Sequence, residues 1–236
     1  TKNMYQANSF MTMIRKRYKA DITFVLGNHD MIVKGLSIGG RQRTKVIAYL
    51  LGEKIKVIEK DKIILVKIDS NAGGNLARGM ITRRQLDQID SELAGIENLE
   101  DYTIVVLLHH HVFKVSKSDF LKIRWREKSI FGSILDKSKA LVDANMFATW
   151  LQQRHIKYVR HGHKHVPYCM NKNGTYYISA GSATGGLKES ESHYYSYNVL
   201  RYDYMDKKMK TCLIFYDDNK KAERKRVEVY LMEEDK

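Results

Sequence analysis

The sequence has little cysteine and no long apolar run, and each absence excludes a class of protein. The two cysteines, Cys169 and Cys212, are too few for a disulfide framework and fit no metal-binding spacing. We therefore expect an intracellular, cytoplasmic protein. A membrane-spanning helix needs about 18 consecutive apolar residues, whereas the longest clean run, Thr103–Leu108, has the length of a strand. The sequence thus predicts no membrane partner.

Acidic residues are also in deficit. Lys and Arg total 41 against 27 Asp and Glu, which gives a formal net charge of +14. A field of this sign concentrates anions, so it favours a nucleotide, a nucleic acid or an acidic surface as partner. A lysine-rich protein without such a partner is the alternative. Because 236 residues, 43% of them hydrophobic, suffice for one substantial core, we expect a single domain spanning residues 1–236.

Three apolar runs are followed at once by polar, histidine-rich motifs. Gly27-Asn28-His29-Asp30 follows a β-rich run, His109-His110-His111 follows Thr103–Leu108, and His161-Gly162-His163-Lys164-His165 follows a third run. Open α/β sheets place their ligands at the carboxyl ends of strands. Neutral imidazoles and a carboxamide gathered there suit a divalent metal better than an acyl-transfer triad. An ordinary turn and hydrogen-bonded core histidines are the structural alternatives.

The remaining periodicities predict an α/β domain. Apolar residues at helical spacing indicate helices over Met4–Tyr18 and around Leu141–Leu151, and Thr82 with Gln85 forms a capping box before a third helix. The predicted strands are 22–26, 55–58, 63–68, 103–108, 156–159, 176–180, 197–204, 209–216 and 227–232. The last four, joined by short polar connections, indicate an antiparallel sheet that closes the domain.

A basic segment, residues 114–139, separates two of these elements. It contains Arg124 and Arg126 on either side of Trp125, an arrangement that suits phosphate contact combined with base stacking. We therefore take Arg124 and Arg126 as candidate substrate-binding residues in a loop over the site. A solvated loop anchored by one tryptophan is the alternative.

The order and spacing of the three motifs resemble those of the calcineurin-like metallophosphoesterase family. The stretch from Gly79 to Leu86 also resembles its cyclic-nucleotide phosphodiesterase-like branch, and Gly181-Ser182-Ala183 resembles a later turn. The resemblance covers residues 21–204. It implies a four-layer α/β/β/α sandwich with two divalent ions, Mn, Fe, Zn or Ni, at the strand ends. It also implies hydrolysis of phosphomonoesters, phosphodiesters of nucleotide type or nucleic acid.

Carried over motif by motif, the resemblance assigns roles to individual residues. Asn28, His109 and His163 are similar to ligands of one metal ion, and His165 to a ligand of the other. His29 resembles the family's catalytic histidine, which donates a hydrogen bond or proton to the leaving oxygen. Since His111 stands where many members have proline, His110 is the second candidate for the ligand assigned to His109.

The chain departs from the family before Gly27, where neither an Asp-x-His nor a Gly-Asp-x-x-Asp motif occurs. Those motifs supply the carboxylates that hold two dications close together. We therefore expect this chain alone to bind metal weakly and to catalyse poorly. We also expect an upstream segment to add strands beside Ile22–Leu26 and to bring the missing carboxylates. A nuclease and a non-catalytic binding relative are the alternative functions.

Overall fold

A computed structural model describes most of the chain, with gaps. The described residues are 2–33, 36–37, 52–71, 79–113, 141–163, 165, 167–182, 187–189, 192–203, 205–206, 208–217 and 222–231. The helices are α1 (Lys2–Tyr18), α2 (Arg83–Leu93) and α3 (Ala144–Gln153), with short 3-10 helices at Asn28–Met31, Glu59–Asp61 and Leu99–Asp101. The basic segment 114–139, with Arg124 and Arg126, lies outside the described residues.

The described strands form three sheets. They are β1 (Ile32–Val33), β2 (Leu36–Ser37), β3 (Ile55–Ile58), β4 (Ile63–Lys67), β5 (Thr103–Leu107), β6 (Tyr158–His161), β7 (Pro167–Lys172), β8 (Thr175–Ala180), β9 (Leu187–Glu189), β10 (Ser192–Asp203), β11 (Lys208–Asp217) and β12 (Ala222–Leu231). β1 and β2 pair with each other, β9 to β12 form a four-stranded sheet, and the other six strands form the central sheet.

The central sheet has the order β3-β4-β5-β6-β8-β7. β4, β5, β6 and β8 run parallel, while β3 and β7 are antiparallel edge strands. Because neighbouring parallel strands end at the same edge, the segments that follow β4, β5 and β6 emerge side by side. The parallel pairing of β5 and β6 therefore brings the second and third histidine motifs to one place.

Each face of the central sheet is covered by a different layer. Helices α2 and α3 bury Leu86, Ile89, Phe147, Trp150 and Leu151 against one face, together with Val106 and Val159 of the sheet. Val105, Tyr158 and Ile178 on the opposite face pack with Met209, Leu200 and Tyr202 of the four-stranded sheet. This helix, sheet, sheet layering confirms the predicted α/β sandwich class. The alternation of side chains along each strand explains how one strand serves both layers.

The predicted N-cap of α2 by Thr82 is confirmed, whereas the reciprocal half of the capping box is replaced by a tertiary contact. The Thr82 side chain accepts a hydrogen bond from the backbone N–H of Gln85 at 3.3 Å. The Gln85 amide instead reaches Asp69, accepting from its backbone N–H at 2.8 Å and donating to its carbonyl at 3.0 Å. Gln85 therefore ties the start of α2 to the segment that follows β4.

Three strand predictions require correction. The predicted strand 176–180 does not belong to the closing antiparallel sheet: as β8 it pairs parallel with β6 inside the central sheet. Ile22–Leu26 is not a strand: the carbonyl of Leu26 accepts from the side-chain amide of Asn71 at 3.0 Å, and no described strand pairs with this segment. A β-rich composition makes a strand only where a neighbouring strand satisfies its backbone. β7 was not predicted, although Asn173-Gly174, with φ of 52° and 77°, forms the tight turn that joins β7 to β8.

The described part of α1 is solvent-accessible, and the side chains of Phe10 and Tyr18 are 58% and 62% exposed. Among the described residues, no helix combines the length and apolar character needed to cross a bilayer.

Candidate metal centre

The candidate site lies where the chain leaves β5 and β6. Backbone pairing continues past both strands, to His109 after β5 and to Gly162 after β6: Leu108 N–H donates to the Arg160 carbonyl and Gly162 N–H donates to the His109 carbonyl, each at 3.0 Å. These bonds hold the two histidine motifs side by side. Of the residues that follow, His109 and His163 are partly buried and His110 is fully buried.

Three imidazoles and one carboxamide converge in this position. His109 Nε2 lies 2.9 Å from Asn28 Oδ1 and 3.1 Å from His163 Nδ1. The potential ligand nitrogens of His109, His110 and His163 all lie within 4.8 Å of one another. His111 stacks on the His163 ring with a centroid separation of 5.6 Å, so it packs against the group.

A tight turn holds Asn28 in place. Asp30 Oδ2 accepts from the Gly27 backbone N–H at 2.7 Å, and the Gly27 carbonyl accepts from the Asp30 N–H at 3.2 Å. A Cβ atom added at Gly27 would lie 3.0 Å from His109 Cε1, so the imidazole would have to shift slightly to accept a larger residue there. Asn28 itself is 7% exposed.

The backbone of the third motif adopts an uncommon conformation. His163 has φ of 71° and His165 has φ of 57°, in the left-handed region that costs about 1 to 2 kcal/mol for a residue with a Cβ. Such conformations persist where the surroundings impose them, and they occur preferentially at functional sites. The His163 ring points to the cluster, whereas the His165 side chain is exposed and is not part of the three-histidine group.

The donor set fits a divalent metal in identity and spacing. Ligands held about 2.1 Å from one ion lie roughly 3.0 to 3.4 Å from each other. The separations of 2.9 and 3.1 Å around His109 Nε2 are close to that range. Neutral imidazole nitrogen suits Zn, Fe and Ni ions better than Mg or Ca. Among the described residues, the group contains no carboxylate, so it adds no negative charge to offset a dication.

His161 belongs to the same motif but faces the protein interior. It is 3% exposed; its Nδ1–H donates to the Gly162 carbonyl at 3.3 Å, and its Nε2 accepts from the Tyr168 hydroxyl at 3.2 Å. Burial lowers the pKa of His161 to about 4, because the charged form would lose its solvation. His161 is therefore neutral at pH 7 and anchors the end of β6.

The structure brings together part of the predicted ligand set. His109 contacts both Asn28 and His163, and His110, the second candidate from the sequence, lies in the same group as His109 and His163. The backbone of His29 lies in the 3-10 helix Asn28–Met31, while its side chain lies outside the described part of the structure. The catalytic role of His29 and the ligand role of His165 stay predictions.

Sequence reasoning missed two residues that contact His110. Ser70 Oγ lies 2.9 Å from His110 Nδ1, and Gly79 lies against the same ring. Ser70 follows β4, the strand beside β5, so its position at a strand end was an available signal. A single serine is not part of any recognisable motif, so its contact with His110 was not predicted.

Comparison with known proteins shows fold-level likeness. No protein-family model matches this chain, and no curated protein matches it. Similar solved structures include GAP50, the anchor in the inner membrane complex of Plasmodium, with a TM-score of 0.37, 13% identity and coverage of 73% of this chain and 50% of that chain. Vps29 from Entamoeba histolytica, complexed with Zn²⁺, has a TM-score of 0.28, 14% identity and coverage of 71% and 99%.

A Staphylococcus aureus protein assigned as a 5'-nucleotidase, in complex with alpha-ketoglutarate, gives a TM-score of 0.40 and 11% identity. Coverage is 96% of this chain and 43% of that chain, so this chain spans less than half of its length. All three TM-scores lie below 0.5, so function is inferred from the chain's own residues.

Proposed function

We propose that this chain is a metal-dependent phosphoesterase that acts on phosphomonoesters or phosphodiesters of nucleotide type. One observation carries the proposal: three imidazoles lie with their ligand atoms within 4.8 Å of one another at the carboxyl ends of parallel strands. Asn28 adds a carboxamide oxygen at 2.9 Å from His109. The resemblance of the three motifs to the metallophosphoesterase family points to the same chemistry.

Each residue of the site has a separate role in this proposal. His109, His110 and His163 hold a divalent ion through neutral nitrogens, and Asn28 adds an oxygen ligand. When bound, a divalent ion supplies positive charge to the phosphoryl oxygens and lowers the pKa of a bound water. His29 donates a proton or hydrogen bond to the leaving oxygen. In the dinuclear centre that the family resemblance implies, His165 would help to hold the second ion.

A metal-dependence assay with matched variants tests the proposal. Because this chain alone is expected to catalyse poorly, we expect slow hydrolysis of bis(p-nitrophenyl) phosphate in Mn²⁺ and its loss in EDTA. His163→Asn should lose more activity than the roughly 10- to 100-fold that removal of an outer hydrogen-bond partner costs. His155→Asn is the control, because His155 is an exposed histidine that also has positive φ, at 52°. Equal activity in the two variants, or activity in EDTA, would contradict the proposal.

A second candidate function is a non-catalytic metal-binding protein. The observation that favours it is the absence of a carboxylate from the described histidine group, since two dications repel each other without one. Under this alternative, the wild-type protein binds one equivalent of Zn²⁺ and hydrolyses none of the esters. A dinuclear enzyme binds two equivalents.

The net charge of +14 favours nucleic acid as a further substrate class. An affinity for single-stranded DNA that falls steeply with salt would support a nuclease. An affinity independent of salt would argue against this substrate class.

A further inference from the structure

His110 packs against two short chain segments that are bonded to each other, Ser70-Asn71 and Gly79-Met80, which we call the neck. The Met80 backbone N–H donates to the Ser70 carbonyl at 2.9 Å, and Asn71 and Met80 form a parallel bridge. The two sides of the neck are thus fixed to each other, one following β4 and the other preceding α2. His110 lies against both sides.

Ser70 contacts His110 through two separate atoms. Its Oγ accepts from the His110 backbone N–H at 3.2 Å and lies 2.9 Å from the ring nitrogen Nδ1. Both residues have 0% relative exposure. One hydroxyl group therefore fixes the backbone and the ring of the same histidine, out of reach of bulk solvent.

Gly79 also lies close to the ring. A Cβ atom added there would lie 2.5 Å from His110 Cγ and 2.9 Å from Nδ1, distances at which the ring would have to move. The ring therefore lies close to both the serine hydroxyl and the glycine backbone. This close fit defines the ring's position as well as its hydrogen-bond partner.

The contact with Ser70 matters because it can decide which nitrogen of the His110 imidazole carries the proton. A neutral imidazole carries a proton on one nitrogen and a lone pair on the other. A histidine that binds a metal through one nitrogen donates the N–H of the other to a nearby acceptor, which fixes the tautomer and the ring orientation. Ser70 Oγ stands where such an acceptor would stand for Nδ1.

We infer that Ser70 is a positioning residue that holds His110 as the Nδ1–H tautomer and directs its Nε2 lone pair to the metal. This inference rests on the proposed function for the identity of the ligand. The tautomer itself is a property of the metal-free protein. The inference makes Nε2 the ligating atom of His110 and assigns Ser70 an effect on metal affinity without contact to the ion.

The test combines a spectroscopic signature with an affinity. Long-range ¹H–¹⁵N NMR of ¹⁵N-histidine-labelled protein at pH 8, with assignment by His110→Gln, reports which ring nitrogen carries the proton. We expect Nδ1–H in the metal-free wild type and a shift towards Nε2–H in Ser70→Ala. Titration with Zn²⁺ should show affinity that is about 10- to 100-fold weaker in Ser70→Ala.

Two further variants separate positioning from a general effect on folding. Ser196→Ala is the matched control, because Ser196 is a buried serine whose Oγ accepts the Ser182 backbone N–H at 3.1 Å. It should leave the His110 tautomer and the zinc affinity unchanged. Ser70→Thr keeps the hydroxyl and should retain the Nδ1–H signal. This variant also tests the role of the hydroxyl if Ser70→Ala does not fold.

The outcomes distinguish this inference from the proposed function. An Nε2–H tautomer in the wild type, or an unchanged tautomer and affinity in Ser70→Ala, would overturn the role of Ser70. A wild type that shows Nδ1–H and binds zinc but hydrolyses no ester would leave Ser70 in place and count against the phosphoesterase. A wild type that does not bind zinc would overturn both.

Discussion

A carboxylate shared between α2 and α3 is predicted to contribute strongly to the free energy of unfolding. Asp90 on α2 accepts from the Trp150 indole N–H at 3.0 Å and from Nε and Nη2 of Arg154. Arg154 also donates to the Trp150 carbonyl at 3.2 Å, and its guanidinium lies 4.9 Å from the Trp150 ring centroid. One acidic side chain thus links two helices that cover the same face of the central sheet.

The magnitude follows from the exposure of the partners. Trp150 is 3% exposed, so Asp90→Ala would leave a buried donor unsatisfied at a cost of about 1 to 3 kcal/mol. The Asp90 and Arg154 side chains are 29% and 28% exposed. Because water screens this ion pair, it adds only about 0.2 to 1 kcal/mol. We expect Asp90→Ala to lower the free energy of unfolding by about 2 to 3 kcal/mol.

Urea unfolding of matched variants provides the assay. Asp87→Ala on the same helix removes an exposed i, i+4 pair with Arg83, 3.2 Å long, and should cost about 0.3 to 0.5 kcal/mol. Asp90→Asn keeps an oxygen acceptor for the indole and should lose less than Asp90→Ala. If Asp90→Ala and Asp87→Ala have equal effects at unchanged m-value, the reasoning about the buried donor is wrong.

Two further predictions concern pH and backbone conformation. Since burial lowers the pKa of His161 to about 4, below the 6.5 of the unfolded chain, folding favours the neutral form. This contribution of about 3 kcal/mol is fully present above pH 6.5 and is lost as the pH falls through 4. In urea unfolding with EDTA present, the free energy of unfolding should fall less steeply with decreasing pH in His161→Gln than in the wild type. Equal slopes in the two proteins would contradict the assignment. Gly181→Ala should lower the thermal unfolding temperature more than Gly174→Ala does. Both glycines have positive φ, at 75° and 77°, but only a Cβ at position 181 would meet another atom, Ser196 Oγ at 2.1 Å. Equal losses would mean that backbone strain alone, about 1 to 2 kcal/mol, sets the cost.

The sequence was sufficient where a pattern is repeated within one element. The stripe Leu86, Ile89 and Leu93 is buried as predicted, because helical spacing alone places these residues on one face. The strand Thr103–Leu107 forms within the predicted run Thr103–Leu108, and it lies between two parallel neighbours in the central sheet. In these cases local periodicity and tertiary burial point to the same structure.

The sequence was insufficient where the outcome depends on a distant partner. Ile22–Leu26 has strand composition, yet its last carbonyl bonds to the Asn71 side chain, a contact no local pattern encodes. The choice among three adjacent histidines likewise depends on which ring nitrogens lie close to one another and to those of His163, and the structure adds His110 to His109. Ser70 lies 40 residues from His110 in the chain, so its contact with the ring could be found only in three dimensions.

X-ray absorption at the zinc edge, on protein loaded with one equivalent of Zn²⁺, tests the central claim most directly. The account predicts nitrogen and oxygen ligands at about 2.0 to 2.1 Å, with outer-shell scattering from at least two imidazoles. That scattering should fall in His163→Asn and remain in His155→Asn. A ligand shell without imidazole scattering, or one that His163→Asn leaves unchanged, would contradict the assignment of this histidine group as the metal centre.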